Sequence, residues 1–585
     1  FEKRNLPPAE DDGAQSTDEL LDFRFVPIRD IHLGASHEGS MKPGGDPLAV
    51  NAFAVVALLI LGIACANFTN LTTARASLRA REVGVRKVLG ATRPQLIAQF
   101  LAEAMLLAAV ATLIGLALVE LLLPFFNRLL GLELSLSYVG EAGILPPALL
   151  LIAVIGAVGG AYPAFYLSRF QPAKVLKASA IGAAQGSGRL RSALVIAQFA
   201  ISIGLIICAA VVYAQTLHAR ATDPGYQRSG LLVLKGLHPG THDRLDTLKR
   251  EMEGLPEVRS AAFTAIIPGH GETGSSTGVR LKGQPLDEQI GYASVDYGFF
   301  ETMGIPVLAG RAFSERFAKD DSSVDFSPAT PDERELLERG MNVMLNEAAA
   351  RRLGFADPRQ AVGAELSADL IDEGPIPATV VGVVPDVRFG SLRDDVQPIL
   401  YFRFEMALGE MVLRFSAADP AAVREKAEQV WQRVLPDVPF EGVFVEDELA
   451  QLYEADEVRG QVFAIASALA VFIACLGLFG LAAFTVERRR LEIAIRKVFG
   501  AGDAAIVRLM VWDFSRPVVI ANLIAWPVAW WLMRDWLNNF AARIELHPGW
   551  FLGAGLLALL IAVLTVGGHA FQASRTRPAL ALRYE

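Results

Sequence analysis

The sequence has few of the residues and motifs that enzymes use for chemistry. It contains only three cysteines in 585 residues, and all three lie inside apolar runs, so no disulfide framework is implied. It has no Gly-x-x-x-x-Gly-Lys-Ser/Thr motif, so no P-loop is available to bind ATP phosphates, and no His-Glu-x-x-His or Cys-x-x-Cys motif. We therefore expect no catalytic residues, no metal and no cofactor. We also expect no nucleic-acid partner.

Charged residues are scarce as well, at 20% of the chain, whereas hydrophobic residues make up 52% and the mean hydropathy is +0.36. This composition is too apolar for a soluble enzyme of this length. A helix needs about 20 apolar residues to cross a lipid bilayer. Seven runs are long enough, and they predict membrane spans at 50–72, 98–126, 146–168, 192–216, 460–485, 507–536 and 549–572.

The charges are distributed unevenly along the chain. Residues 217–459 contain 25 Lys and Arg against 41 Asp and Glu, whereas the short segments between spans are rich in Lys and Arg. If the spans alternate in direction, the basic segments 75–93, 169–191, 488–508 and 575–583 all lie on one side of the membrane. Short basic loops face the cytoplasm. We therefore expect these segments to be cytoplasmic and residues 217–459 to be extracytoplasmic.

One basic segment occurs twice. Residues 79–91 (RAREVGVRKVLGA) align with residues 489–501 (RRLEIAIRKVFGA) at a shift of 410 positions. The identical positions with polar, charged or turn chemistry are Arg79, Glu82, Arg86, Lys87 and Gly90, matched by Arg489, Glu492, Arg496, Lys497 and Gly500. The chain therefore contains two copies of one membrane module. Because the fourth span leads the second copy, we expect an equivalent span upstream of Phe1 and eight spans in the intact protein.

Two hypotheses account for this repeat, which we call the first elbow (79–91) and the second elbow (489–501). Each elbow could anchor the chain at an anionic lipid surface. Alternatively, each could be a short helix, stopped by its glycine, that docks on a soluble partner. Glu103 and Asp513 recur at the same shift near the start of the next span. Because ionisable groups at membrane depth are costly, we expect each to pair with its basic elbow rather than relay protons.

The large acidic segment has a different character from the spans. Within residues 217–459, β-rich runs such as 378–384 alternate with helical runs such as 420–434. The polar, acidic stretch 314–340 is typical of a mobile insertion. The predicted fold class is therefore membrane α-helical, with seven spans present and eight expected, joined to a mixed α/β extracytoplasmic domain.

The elbow pattern Glu-Val/Ile-Gly/Ala-Val/Ile-Arg-Lys-Val-Leu/Phe-Gly-Ala, followed by an apolar hairpin, resembles the permease subunits of FtsX-like/MacB-type ATP-binding cassette (ABC) transporters. The resemblance covers essentially the whole chain. In the large outer segment it rests on Tyr292–Ile305, Gly310–Phe313, Asn346–Gly354 and Val380–Val387. The chain departs from MacB itself, which has four spans and a fused ATPase, and is more similar to the eight-span members.

The resemblance implies a domain organisation. Pro27–Leu33 looks like the end of a first extracytoplasmic domain, which implies an N-terminally truncated chain. The implied segments are the end of that domain (1–49), a first FtsX-like three-span module (50–178), a linker with span four (179–216), an extracytoplasmic MacB-like domain (217–459) and a second FtsX-like three-span module (460–585).

The resemblance also implies a function in the bacterial plasma (inner) membrane. A separate ABC ATPase, acting as a dimer, would hydrolyse ATP and move the extracytoplasmic domains for export or mechanotransmission. The residues implied to contact it are Glu82, Arg86, Lys87 and Gly90, with Glu492, Arg496, Lys497 and Gly500. An envelope adaptor or a cargo is a further implied partner. The alternative is a membrane signalling or scaffold protein that regulates a cell-envelope enzyme.

Overall fold

The computed structural model describes residues 47–130, 134–140, 143–168, 187–269, 275–284, 287–323, 331–371 and 374–574. Two predicted segments lie outside the described residues. They are the end of a first outer domain (1–49), except residues 47–49, and the basic tail 575–583. The chain divides into two compact units. The membrane unit comprises the chain up to Ile206 with Ala464–Ala525 and Ala554 onward, and the α/β unit comprises Ile207–Phe463 with Trp526–Gly553.

In the described residues, helices dominate the membrane unit and the β-strands lie in the α/β unit. The helices are α1 (Pro47–Val88), α2 (Arg93–Leu130), α3 (Leu145–Ser168), α4 (Ser187–Ala221), α5 (Leu245–Glu253), α6 (Phe299–Met303), α7 (Pro331–Arg339), α8 (Glu347–Arg352), α9 (Pro358–Ala361), α10 (Pro420–Val434), α11 (Val445–Arg488), α12 (Arg490–Val498), α13 (Asp503–Leu537) and α14 (Pro548–Ser574). The strands are β1 (Leu231–Lys235), β2 (Val258–Thr264), β3 (Ser276–Leu281), β4 (Glu288–Ser294), β5 (Ala309–Gly310), β6 (Met341–Asn346), β7 (Glu365–Ala368), β8 (Ile376–Val384), β9 (Ile399–Phe402), β10 (Glu410–Phe415) and β11 (Glu441–Phe444).

The long apolar runs form helices because a helix satisfies all its backbone polar groups internally, as a bilayer requires. Five of the seven predicted spans coincide with helices long and apolar enough to cross a membrane: Val50–Thr73, Arg93–Arg128, Arg191–Ala221, Asp456–Arg488 and Pro548–Gln572. The other two also lie in helices. In α3 the apolar part, Leu145–Ala161, is shorter. Helix α13 is continuous, but its apolar sequence is interrupted by Arg516, Asn522 and Pro527. The membrane α-helical class and the mixed α/β domain are confirmed.

The α/β unit contains two sheets. The smaller has the strand order β11-β1-β10-β2 and is antiparallel throughout. The larger has the order β5-β8-β6-β9-β4-β3-β7, with parallel pairing between β4 and β9 and between β6 and β8. Helices α5 and α10 cover the smaller sheet and share its core with buried Trp431.

The strand β1 shows how the sequence builds two cores at once. Its residues Leu231–Leu234 are all buried, and successive side chains in a strand point to opposite faces. Leu231 and Val233 join a core that also contains residues of the larger sheet, such as Tyr401. Leu232 and Leu234 join the core beneath α5 and α10. A continuous apolar run is therefore needed in β1, because both of its faces are covered.

The prediction of a mobile insertion at 314–340 was wrong for its described parts. Asp320 is fully buried and accepts hydrogen bonds from the Arg311 guanidinium (2.5 and 2.9 Å), the Asn342 amide (2.6 Å) and the Ser314 backbone N–H (2.8 Å). Helix α7 follows, with Leu336 in the core of the larger sheet. In this stretch the buried carboxylate of Asp320 is therefore fixed by partners on both sides of it in the sequence, Arg311 and Asn342.

Asp320→Ala is expected to destabilise the α/β unit by about 3 kcal/mol, because removing one partner leaves a partly buried guanidinium and a buried amide without their acceptor. Thermal unfolding of the purified full chain measures the change in the free energy of unfolding, if the spectroscopic signal that is recorded comes from the α/β unit. Asp287, which pairs with Arg280 on the surface (2.7 Å), provides the matched control. Asp287→Ala should leave unfolding almost unchanged. Equal effects of the two variants would contradict the structural role given to Asp320.

Candidate functional site: the two elbows

Each elbow ends in the same backbone turn. In the first, the Gly90 N–H donates to the carbonyl of Lys87 (3.1 Å) and the Ala91 N–H to that of Arg86 (3.0 Å). The second elbow repeats both bonds, from Gly500 to Lys497 (2.9 Å) and from Ala501 to Arg496 (3.0 Å). This pair of bonds is a Schellman motif, which needs a left-handed residue at the glycine. The φ angles of Gly90 and Gly500 are 98° and 90°, so the repeated glycines end the elbow helices as predicted.

A small apolar cluster fixes each elbow to the helix that follows it and to the last helix of its module. In the first module the buried residues are Val83, Leu96, Phe100 and Ala164. In the second module Ile506, Met510 and Ala570 are buried and Ile493 packs against them. At the 410-residue shift Val83, Leu96 and Phe100 correspond to Ile493, Ile506 and Met510. The two copies therefore repeat the packing of the elbow as well as its sequence.

Ion pairs complete the attachment of the first elbow. The Arg79 guanidinium binds the carboxylates of Glu103 (2.7 Å) and Glu82 (3.0 Å), and these hydrogen bonds raise the pKa of Arg79. Arg86 pairs with Glu82 (2.8 Å) and donates to the Gln99 side-chain oxygen (3.0 Å). The predicted pairing of Glu103 with the basic elbow is present in the structure.

The second elbow uses the same scheme with differences. Arg489 binds Asp513 (2.8 Å) and lies 3.9 Å from Glu492, which pairs with Arg496 (2.7 Å). Its lysine, Lys497, binds Asp503 (2.8 Å). In the first elbow Lys87 instead donates to the backbone carbonyl of Ser168 (2.7 Å), at the end of α3. The second elbow is also a separate helix, α12, whereas the first is continuous with α1.

Each elbow leaves large apolar side chains exposed. In the first elbow Leu89 is 81% exposed, and in the second Phe499, its equivalent, is 86% exposed. The neighbouring exposed apolar residues are Val85, Val88, Ile495 and Val498. We call Leu89 and Phe499, together with these neighbours, the elbow tips. The charged residues predicted as contacts have partners within the chain, and the apolar tips are the part most available to another molecule. The signal for them in the sequence was large apolar residues at matching positions beside a glycine.

A second cluster, which the sequence analysis missed, lies within the α/β unit. The carbonyl of Leu392 accepts from the Ala541 N–H (3.0 Å), in the loop between α13 and α14. The Gln215 amide on α4 bonds to both the Ala542 carbonyl and the Ile544 N–H (2.9 Å each). Arg393 pairs with buried Asp456 on α11 (2.7 Å). The one available signal was Gln215, a polar residue inside an apolar run.

The residues of this second cluster join α4, α11 and the loop before α14 to one loop of the domain. Its contacts are hydrogen bonds and an ion pair, which hold these elements in register. Among the described residues, no group of three or more His, Cys, Asp or Glu is arranged to hold a metal ion. The elbows and this cluster consist of ion pairs, hydrogen bonds and, in the elbows, exposed apolar side chains.

Two protein families match most of the chain. The family described as "FtsX-like permease C-terminal" matches residues 54–172 and again residues 464–578. The family described as "MacB-like periplasmic core domain" matches residues 192–430. The double match to the first family agrees with the internal repeat.

Individual relatives match over a shorter segment. The macrolide export ATP-binding/permease protein MacB of Nitrobacter winogradskyi is 33% identical over 129 residues, which is 22% of this chain and 19% of that protein. The pyoverdine export ATP-binding/permease protein PvdT of Pseudomonas putida is 33% identical over 132 residues, or 22% and 18%. The uncharacterized ABC transporter permease YknZ of Bacillus subtilis is 28% identical over 128 residues, or 22% and 30%. The chain thus spans only a fifth to a third of their lengths.

Two solved structures align over about a third of the chain. The extracellular domain of the noncanonic ABC-type transporter YknZ from Gram-positive bacteria aligns over 36% of this chain and 98% of that domain, with 12% identity and a TM-score of 0.23. A domain of a permease protein from Porphyromonas gingivalis aligns over 37% and 92%, with 12% identity and a TM-score of 0.24.

Proposed function

The chain belongs to the ABC-transporter permeases that combine FtsX-like membrane modules with a MacB-like periplasmic core domain, and from this membership we propose that it works with an ATPase on a separate chain. It is a membrane protein with a periplasmic α/β domain. In the proposed cycle, the ATPase binds the two elbows from the cytoplasm. ATP hydrolysis then moves the periplasmic domain, for export or mechanotransmission across the bacterial inner membrane.

The observation that carries this proposal is the paired elbow tips. Leu89 and Phe499 occupy equivalent positions and are both more than four-fifths exposed. Exposed apolar residues in this arrangement are typical of helices that dock into a groove on a partner. Two copies of the tip in one chain match an ATPase dimer, which offers two equivalent grooves. The ion pairs behind the tips hold them in a fixed shape, which lowers the entropic cost of binding.

Movement at the second elbow has a direct route to the periplasmic domain. Helix α11 begins at Val445, immediately after strand β11, and continues without interruption to Arg488, one residue before Arg489 of the elbow. A continuous helix resists bending, because each bend must distort its hydrogen bonds. The contacts of Arg393 and Leu392 then connect α11 to the domain.

The proposed function is tested by purifying the chain with the candidate ABC ATPase from the same genome. We expect co-purification in detergent and faster ATP hydrolysis by the ATPase in the presence of the chain. If no P-loop ATPase binds, and hydrolysis by each candidate is unchanged, the proposal is wrong.

The proposed orientation is tested by labelling single cysteines in a chain whose three native cysteines are replaced. We expect a membrane-impermeant maleimide to reach Leu89→Cys and Phe499→Cys only from the cytoplasmic side. Ser276→Cys, at an exposed position of strand β3 in the α/β unit, should be labelled only from the periplasmic side. Labelling of the elbows from the periplasm would overturn the scheme.

Glu82→Gln combined with Glu492→Gln is expected to weaken ATPase binding by less than about tenfold. Each glutamate pairs with arginines of its own elbow, so the change loosens the elbow and leaves the tip in place. Half-exposed ion pairs of this kind contribute little each. Affinity measured by titration of the ATPase checks the result. Complete loss of binding would instead mean that the glutamates contact the ATPase directly.

A further inference from the structure

The similarity between the two modules extends from the elbows into the membrane. At the same shift of 410, Ile63-Ala64-Cys65 in α1 align with Ile473-Ala474-Cys475 in α11. After these residues the two copies differ in the same way at two positions. Asn67 aligns with Gly477 and Asn70 aligns with Gly480, so an amide side chain in the first copy twice corresponds to no side chain in the second.

The fold brings these unlike positions into contact. The Asn67 amide nitrogen donates to the backbone carbonyl of Ile473 (3.4 Å). A Cβ atom added to Gly477 would lie 2.4 Å from the side-chain oxygen of Asn67, and one added to Gly480 would lie 2.5 Å from Cδ2 of Leu71. Both distances are far below van der Waals contact. Glycine at 477 and 480 therefore makes room for side chains of α1, as small residues do where membrane helices cross closely.

The contact between Asn67 and Gly477 also indicates where the two modules meet. Asn67 touches Gly477, which is its own equivalent in the second copy. A residue can contact its equivalent only close to the axis that relates the two copies, as in a symmetric dimer. If a rotation relates the two modules, the crossing of α1 and α11 lies near its axis. At this crossing the sequence is not symmetric.

We propose that the crossing of Asn67 with Gly477 is the pairing determinant of the two modules, and that the partner of the first module is the second module of the same chain. Two first modules facing each other would place two asparagine side chains in the space of one. Two second modules would leave a gap between glycines and lose the bond to the Ile473 carbonyl. Only the unlike pair fills the crossing and keeps the bond from the Asn67 amide nitrogen to the Ile473 carbonyl.

Asn70 is a second reason to assign the asparagines of α1 a role in selecting the partner module. Its side chain is fully buried, and neither of its polar atoms has a hydrogen-bond partner among the described residues. A buried polar group without a partner is unfavourable, so its presence is not explained by stability. In coiled coils, a single buried asparagine fixes partner and register at a cost in stability. Asn67 and Asn70 of α1 fit the same role, which is to fix the partner of one helix, here within a single chain.

An exchange of the two residues in the full-length chain tests the proposal. We expect Gly477→Asn to lower the monodisperse yield in detergent at least tenfold, because two asparagines then compete for one space. Asn67→Gly should lower it less. The double exchange, Asn67→Gly with Gly477→Asn, should recover most of the loss of Gly477→Asn, because positions near the axis can trade roles. A double variant no better than Gly477→Asn would overturn the proposal.

A matched pair of alanine variants separates crowding at the crossing from a general effect of losing a glycine. Gly62 lies on α1 with no atom within 4 Å of an added Cβ. We expect Gly62→Ala to behave as the unaltered chain and Gly477→Ala to lower the apparent melting temperature. Equal behaviour of the two variants would contradict the close crossing.

A disulfide test shows whether the partner is the same chain, even if the exchanged variants fold poorly. In a chain without its native cysteines, Asn67→Cys and Gly477→Cys are combined with a protease site inserted between residues 179 and 186. After mild oxidation and cleavage, we expect the two halves to remain joined on a non-reducing gel and to separate on reduction. Cross-linked dimers of whole chains, or no cross-link, would overturn the proposal. The result does not depend on any ATPase, so it is independent of the proposed function.

Discussion

Replacing Leu89 and Phe499 together by aspartate is expected to lower the affinity for the ATPase at least about a hundredfold. Burying a Leu or Phe side chain fully contributes roughly 1.5–3 kcal/mol. The two tips together therefore contribute enough to change the dissociation constant by two orders of magnitude or more, since about 1.4 kcal/mol corresponds to a factor of ten. An aspartate adds the cost of removing a charge from water. Titration of the purified ATPase onto the detergent-solubilised chain measures the change.

Two exposed apolar residues away from the elbows provide matched controls. Val139 is 78% exposed and Leu308 is 43% exposed. Val139→Asp and Leu308→Asp should leave ATPase binding unchanged, because neither residue belongs to an elbow. The lipid-anchor hypothesis gives a different pattern. If the tips only rest in the bilayer surface, the double elbow variant binds the ATPase normally, and the docking role is wrong.

The single variants add information, because the two elbows are unequal. Phe499 has the larger apolar side chain and directly follows the short separate helix α12, whereas Leu89 directly follows the long helix α1. We expect Phe499→Asp to weaken binding more than Leu89→Asp. The same asymmetry occurs at the crossing of Asn67 with Gly477, so the modules differ both where they meet each other and where they are proposed to meet the ATPase.

The elbows could be predicted from the sequence because their signals are local. The positions of Gly90 and Gly500 fixed the helix ends, and the recurrence of Glu103 as Asp513 indicated an ion pair with the elbow. Both expectations agree with the structure. The sequence could not indicate that Glu82 forms ion pairs with arginines of its own elbow. That depends on side-chain geometry, which spacing along a helix leaves open.

Contacts between distant parts of the chain were the least predictable. The meeting of Gln215 with Ala542 joins residues more than 300 positions apart, and that of Asn67 with Ile473 more than 400. No periodic pattern links such positions. The error at 314–340 has a related cause. Composition correctly identified a polar stretch, but Asp320 is buried because Arg311 and Asn342 surround it, and composition cannot show that a polar group has partners.

Ala464→Pro in helix α11 is expected to separate ATPase binding from movement of the periplasmic domain. Ala464 is exposed and lies in the interior of the 44-residue helix, so proline there removes a hydrogen bond and collides with the preceding turn. The cost of about 3 kcal/mol or more is relieved by a kink. The elbows are unaltered, so the ATPase should bind with normal affinity. The movement carried along α11 should be lost.

Amide hydrogen exchange with ATP and with ADP measures that movement in the complex. In the unaltered chain we expect a nucleotide-dependent difference in the loops that contain Leu392 and Ala542, because their mutual hydrogen bond belongs to the cluster that holds α11. Ala464→Pro should remove the difference, and Ala464→Ser should keep it, since serine keeps the backbone hydrogen bond that proline loses. A difference that survives the proline variant would mean that α11 does not transmit the movement. The route would then have to run through α4, the helix that carries Gln215.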